Sequence, residues 1–434
     1  MPIAAEELAA ERAAQAALLP PPLPASQGAE LLSERVVKDA HSGGCATAPK
    51  GSIVWTSARS LGPIGGRADW NGLPRENYYD RFPLAAKENV TSVHKGIWGL
   101  SKCSAGEYVG FALSGNITSL WVNYSVHDNT GMNPSGGQLP IMPPLGRNGV
   151  DLYGQVRSNG RWVWAGNTAG SGSADEPYIC GPMTALTTAA SANKTNDAPL
   201  DASAVSRFIL YLPLWRACSD DLAIGIPAAD HAAGARLVAE PSVIDVAKKP
   251  VVWYGTSILH GAASTRAGAG FSNRVSRAIN RTILNFGFSG SGHMDVGIGI
   301  WLAKIDAAVF IVDCNWNMQH AEIAKKTAPL VNLLRAARPS VPIVLAEGTP
   351  DGDLWFGEPT HTSQEQNNAA LRQAYTELQA AGVSGLHYVN SSSLFTLTNA
   401  DYENPTVGGC HPSDLGARDV ASFYAGFLPP LLKK

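Results

Sequence analysis

Between residues 249 and 434 short apolar runs alternate with longer amphipathic ones, and few architectures accept that rhythm. "PVVWYGTS", "RTILNFGF", "IDAAVFIVDC", "VPIVLAEG" and "GLHYV" are near-continuously apolar, as strands buried on both faces must be. "GFSNRVSRAIN", "AEIAKKTAPLVNLLRAARP", "SQEQNNAALRQAYTELQAAG" and "SDLGARDVASFYAGFL" have helical spacing. Strands and helices in alternation give an α/β domain, a parallel sheet with helices on both faces. In such a sheet reactive groups stand at the carboxyl ends of the strands, so each strand exit is a place to look.

The chain before this point keeps a different rhythm. From 51 to 245 it runs in short alternating stretches such as "YVGFALSG", "ITSLWVNYSV", "RWVWAG" and "RFILYLPLW", separated by Gly, Asn, Pro and Ser clusters. Period-two alternation rich in aromatic and β-branched residues, with regular turn signals, predicts an all-β sandwich. Helical spacing is scarce there. Residues 1–50 read as an extension, expected to be mobile. Their Ala-rich start has Glu6, Glu7, Glu11 and Arg12 interspersed, and "PPPLPASQG" breaks it.

Bulk properties remove several classes of function. With 33 basic and 36 acidic residues and a net charge of −3, nothing attracts nucleic acid electrostatically. No apolar run reaches the ~20 residues that span a bilayer. Cys45, Cys103, Cys180, Cys218, Cys314 and Cys410 contain no CxxC pair, which leaves a zinc ribbon or dithiol site without support. Sequons at Asn89, Asn116, Asn123, Asn193, Asn280 and Asn390 and the even cysteine count lean toward a secreted or lumenal protein. The acid-bearing first segment is unlike a signal peptide and leans the other way. Compartment and oligomeric state are left open.

At the strand exits, Ser257 in "YGTSILHG" is either a hydroxyl at the mouth of the sheet or a helix cap. "NFGFSGSGHM" offers glycines whose N–H groups can approach an oxyanion, or an ordinary turn. It is no dinucleotide fingerprint. In "DCNWNM" the amide of Asn317 or Asn315 can donate to developing charge, or close the strand as a turn. His411 lies in the loop before the last helix, in "GGCHPSDLG". Each signal is weak alone. Together they place a nucleophile, two oxyanion donors and a base along one edge of one sheet.

With these blocks the chain resembles the SGNH (GDSL-like) hydrolase superfamily. "GTSILHG" is similar to its nucleophile block, "NFGFSGSG" to its glycine block, "NWNM" to its asparagine block and "HPSDLG" to its histidine block. "GVDLY" at 149–153, after "PIMPPLGRN", and "LYLPLW" at 210–215 resemble the β-sandwich that precedes the hydrolase in one subgroup. The resemblance implies Ser257 as nucleophile, His411 as base, and an oxyanion hole from the Ser257 and Gly290 N–H groups and the Asn317 amide. Asn315 is the fallback.

One position departs. The family reads Asp-x-x-His, and here Gly408 stands where the Asp would be. Asp401 and Glu403 are the nearest acids that would substitute; a backbone carbonyl orienting the imidazole through its second nitrogen is the favoured alternative, and loss of activity is the third. Asp414 reads as the cap of the last helix rather than as the acid. Cys314 and Cys410 fall at the same sheet edge, so a disulfide between them would pin the His411 loop, against the equal expectation of two buried thiols. His260, His293 and His320 lie near the strand exits without a metal-ligand spacing; contact with substrate or solvent is expected of them, and neither metal nor organic cofactor is.

The fold expected is therefore a jelly-roll-like β-sandwich over 51–245 and a flavodoxin-like SGNH domain over 249–434. The function expected is hydrolysis of a small-molecule or carbohydrate ester with a short acyl group, such as acetyl, through a Ser257 acyl-enzyme. Trp162 and Trp164 are sugar-stacking candidates, though core or domain-interface roles weigh more. The alternatives are acyl transfer or lyase-like use of the same serine, or ligand binding at a degenerate site.

Overall fold

The computed structural model describes residues 51–127, 141–168, 178–185, 205–218, 221–350, 361–396 and 404–432. Strands β1 (Ile53–Ser57), β2 (Tyr108–Ser114), β3 (Ser119–His127), β4 (Val150–Val156), β5 (Trp162–Thr168), β6 (Tyr178–Ala185), β7 (Val205–Tyr211), β8 (Ala217–Cys218), β9 (Ala223–Pro227) and β10 (Arg236–Ala239) build a sandwich of two antiparallel sheets. Their orders are β1-β9-β3-β6, with β8 added to β3, and β10-β2-β7-β4-β5. β3 shows why: Leu120, Val122, Tyr124 and Val126 alternate into the core between the sheets, the period of two that a pleated strand imposes.

β4, the strand of the GVDLY motif, is buried on both faces. Val150 and Leu152 enter the sandwich core, while Asp151 and Tyr153 turn outward and are just as buried, at 0% and 6% exposure. They meet the second domain.

That domain is a five-stranded sheet of β11 (Val251–Gly255), β12 (Ile283–Gly287), β13 (Val309–Asp313), β14 (Ile343–Ala346) and β15 (Leu386–Val389), ordered β12-β11-β13-β14-β15 and parallel in each pair. This is the flavodoxin-like order. Val251, Trp253 and Ile283 face the helices Phe271–Ile279 and Asp414–Phe427. Val252, Tyr254, Leu284 and Phe286 face the other way, toward the helices Val296–Leu302, His320–Ala337 and His361–Ala380.

The sequence gives no sign of how far the first half reaches. Trp70, Phe82, Val90, Ile97 and Trp98 join the core on this second face of the parallel sheet. Two short helices, Lys87–Val93 and Lys95–Leu100, carry part of it. Each is too short to persist alone, and "KENVTSV" has little helix propensity, so packing rather than periodicity forms them.

Candidate active site at the carboxyl edge of the parallel sheet

β11 ends at Gly255, where a Cβ would lie 2.7 Å from the Asp313 carbonyl, so only glycine lets the two strand ends close up. Thr256 then caps a one-turn helix, its hydroxyl accepting from the Ile258 N–H at 3.3 Å. Ser257 is the first residue of that turn and is 9% exposed. Its Oγ stands 2.9 Å from His411 Nε2. The two residues are 154 positions apart, and the sheet edge brings them together.

His411 sits on a two-residue strand, β17 (His411–Pro412), paired antiparallel with β16 (Thr406–Val407). Val407 faces His411, leaving Gly408, Gly409 and Cys410 to turn the chain, with φ of 61° and 82° at the glycines. Left-handed backbone at both explains two glycines in succession. Burial lowers the imidazole pKa below its ordinary value, which favours the neutral ring; in the tautomer with its proton on Nδ1, Nε2 can accept from the Ser257 hydroxyl.

Opposite His411, the loop after β12 returns to Ser257. Gly292 packs so closely on Gly255 that a Cβ would come within 2.3 Å of its carbonyl, and its N–H donates to Asn317 Oδ1 at 3.1 Å. This bond fixes the amide's orientation and leaves Nδ2 to donate elsewhere. Gly290, in the left-handed region at φ 63°, has open space where a side chain would be. Among the described residues no group accepts from the Ser257 N–H, the Gly290 N–H or Asn317 Nδ2.

Other residues singled out from the sequence divide. Asn315 is fully buried, its Nδ2 donating to Asn368 Oδ1 at 2.6 Å while its carbonyl accepts from Asn367. It braces the neighbouring helix and does not join Ser257. Asp401 and Glu403 lie outside the described residues. Cys314 and Cys410 are not bonded to each other, so of the two expectations the disulfide fails. Cys314 is buried under β11, with Sγ 3.9 Å from the Tyr254 carbonyl. Cys410 Sγ turns the other way, 2.9 Å from His411 Nδ1. The favoured backbone acceptor for that nitrogen is absent among the described residues. Ser413, not Asp414, caps the last helix; Asp414 accepts from the Thr265 N–H at 2.9 Å and from its hydroxyl.

His260 meets neither substrate nor solvent. It is fully buried at the domain boundary, stacked on Trp215 at 4.1 Å, with Nε2 2.8 Å from the Leu214 carbonyl. Burial first, and the Arg81 charge second, push its pKa well down. His320 is exposed at a helix start. His293 is half-buried, 6.0 Å from the ring of His94. No His, Cys, Asp and Glu cluster suited to a metal ion occurs among the described residues.

Three first-half residues that grip this edge escaped the sequence reading. Arg81 is 2% exposed and donates to the Asn285 and Gly287 carbonyls at 2.8 and 3.0 Å, clamping the end of β12. His94 Nδ1 lies 3.1 Å from the hydroxyl of Ser291, the neighbour of Gly290, and accepts from the Gly96 N–H. Asp151 accepts from the Gly268 N–H at 2.8 Å and the Trp164 indole at 2.9 Å, and pairs with Arg266 at 3.3 Å. Burial pushes its carboxyl up to about 6, against the pull of Arg266 and these donors. Arg266 also donates to Tyr153 and lies 3.6 Å from Asp414. The motif thus holds the segment that follows the Ser257 turn. Only its Asp among apolar neighbours hinted at this. Trp162 is half-buried, whereas Trp164 is 52% exposed.

A cavity of 990 Å³ between the domains lies elsewhere, lined by Arg67, Thr282, Lys304, Asp306 and Arg338 at the amino ends of the parallel strands. It has no part in the Ser257 edge.

Residues 248–428 match the sequence model of the GDSL-like lipase/acylhydrolase family, and residues 53–232 match GxDLY, described as the N-terminus of SGNH-hydrolase-type esterases. Among solved structures, a protein from Bacteroides ovatus described as a GDSL-like lipase is 26% identical, with a TM-score of 0.70 over 88% of this chain and 98% of its own. A salicylyl-acyltransferase from a tetracycline biosynthetic pathway shares the fold at 14% identity, with a TM-score of 0.57 over 88% of this chain and all 100% of its own. No curated protein matches the chain in sequence.

Proposed function

Given that the chain belongs to the SGNH (GDSL-like) hydrolases, to the branch with a GxDLY domain ahead of the catalytic one, we propose that it is a serine esterase releasing a short acyl group from a polar, carbohydrate-like alcohol. An ester hydrolase of this type needs a hydroxyl nucleophile, a base in contact with it and donors for the tetrahedral oxyanion. The 2.9 Å contact of Ser257 Oγ with His411 Nε2 carries this reading.

In this proposal His411 Nε2 takes the Ser257 proton as Oγ attacks the ester carbonyl. The carbonyl oxygen gains negative charge and is met by the Ser257 and Gly290 N–H groups and Asn317 Nδ2. His411 returns the proton to the leaving alkoxide, freeing the alcohol. It then deprotonates water, which attacks the acyl-enzyme and restores Ser257. Among the described residues these donors have no other acceptor, which leaves them open to the oxyanion, and such preorganisation is usually the largest single contribution to this kind of catalysis.

The alcohol part rests on Trp164. Its ring is half-exposed and fixed by the bond to Asp151, and the Arg266 it neighbours reaches Asp414 on the helix after His411. A fixed aromatic ring with polar groups beside it suits a sugar face.

Initial rates on p-nitrophenyl acetate, butyrate and octanoate, and on acetylated oligosaccharides, test both parts. Ser257→Ala is expected to lower kcat at least about a thousandfold with unchanged thermal unfolding. Equal rates for wild type and Ser257→Ala on every ester would refute the esterase reading. Preference for octanoate would refute the short acyl group.

A further inference from the structure

A catalytic imidazole needs an acceptor on its second nitrogen. With Nδ1–H donated, the lone pair on Nε2 faces the nucleophile and the imidazolium formed during attack is supported. Related hydrolases carry an Asp three residues before the His, and this chain has Gly408 there. The imidazole here nevertheless has a neighbour at Nδ1: Cys410 Sγ at 2.9 Å, against 4.0 Å from the same sulfur to Nε2. We propose that Cys410 is the positioning residue for His411, its sulfur accepting the Nδ1–H that the missing carboxylate would have taken. This rests on the reading of Ser257 and His411 as nucleophile and base.

The hairpin explains how adjacent side chains come to face each other. Side chains of neighbouring residues on a regular strand point to opposite faces. Cys410 is not on the strand: it is the last of three turn residues, behind two glycines in left-handed conformation. Its carbonyl accepts from the Thr349 hydroxyl at 3.3 Å, which fixes the turn. Thr349 is in turn held from behind, its own carbonyl accepting from the Trp316 indole at 2.9 Å.

The chemistry needs no bond to the sulfur. Nδ1–H points at Sγ in the resting site, Nε2 gains the Ser257 proton during attack and loses it to the leaving alcohol, and Cys410 keeps its own protonation throughout. Sulfur is a weaker acceptor than a carboxylate, so the support is smaller than an Asp would give. The groups facing the imidazole are Ser257 on one nitrogen and Cys410 on the other. Asp414, on the helix that follows, is already occupied by Thr265 and Arg266.

The test is kcat, KM and the pH profile of kcat/KM for Cys410→Ala, Cys410→Ser and Cys410→Asp beside Ser257→Ala. Losing the acceptor lowers kcat about tenfold or more, leaves KM within about twofold, and moves the acid limb to lower pH, because the imidazolium has lost its partner. Serine retains an acceptor and stays within about threefold of wild type. Aspartate moves the limb to higher pH and matches or exceeds the wild-type kcat. Cys410→Ala at the wild-type rate with an unmoved limb, beside an inert Ser257→Ala, overturns this role and leaves the esterase reading intact. Full activity in Ser257→Ala overturns both. Should the alanine variant not fold, the Ser and Asp variants decide: identical rates and identical acid limbs overturn the role.

Discussion

The two sides of Ser257 are built to different standards. On the proposed oxyanion side the segments are tied to one another and to the first domain: Gly292 is wedged on Gly255, Asn317 is locked by the Gly292 N–H, Ser291 contacts His94, and Arg81 clamps the end of β12. On the base side His411 rides on a two-residue strand behind two left-handed glycines, fastened by Thr349 to the Cys410 carbonyl and by the Ser413 N–H to the Pro405 carbonyl at 2.8 Å. Donors for a developing charge act only if they need not reorganise. A base makes and breaks its contact in every cycle and tolerates a softer mounting. The first domain places its polar groups accordingly, with Arg81, His94 and Asp151 all bonded to segments that carry or back Ser257 and the proposed oxyanion donors.

The largest effect expected from this contrast is at Asn317. Asn317→Ala removes one oxyanion donor and frees the Gly292 N–H, and kcat on p-nitrophenyl acetate is expected to fall about 100- to 1,000-fold with KM little changed. Asn315→Ala, which should disturb the packing on Asn367 and Asn368 instead, is the control: a lower unfolding temperature with a smaller loss of turnover. Equal losses of kcat at the two positions would break the assignment of the donor to Asn317.

How far each side was legible follows from the physics that makes it. The parallel sheet was readable because five strands buried on both faces leave apolar runs in the sequence, and Ser257, Gly290 and His411 stood out as candidates because each follows such a run. Asn317 and Asn315 stayed undivided from sequence, since both have the right chemistry and only side-chain direction separates them. Arg81 and His94 left no signal: a single Arg or His in a loop acquires its role from a partner some 200 residues away. Cys410 was noticed, but as half of a disulfide. Adjacency to His411 in sequence is poor evidence of contact until the glycine turn is known to fold the two side chains together.

A smaller effect separates the base side from an ordinary histidine. Burial holds the His411 pKa below its usual value of 6.5. In the proposed mechanism His411 works unprotonated, so activity is present above the folded-state pKa and lost as pH falls through it. The acid limb of kcat/KM should therefore have its midpoint below pH 6.5, with a tenfold decline per pH unit beneath it. By the same sign, the unfolded chain takes up a proton at His411 before the native one does, so its contribution to stability is full above 6.5 and is lost on acidification. A midpoint above 6.5 would mean that a negatively charged group supports the imidazolium, contrary to a soft thiol acceptor.

The smallest effect is expected at the position that first looked like a defect. Gly408→Asp restores the family's carboxylate into open space, since nothing lies within 4 Å of the added Cβ. The cost is the backbone: φ of 61° disfavours a side chain, though Asp tolerates this region better than most. A loss of about 1 kcal/mol in stability is expected. If Cys410 already occupies Nδ1, turnover should change by less than about threefold, because the new carboxylate finds its place taken. The same substitution in a Cys410→Ala background should recover most of the activity that Cys410→Ala loses. A tenfold or larger gain in the otherwise unchanged protein would show instead that Nδ1 had no effective partner, and that the base side is not merely softly mounted but incomplete.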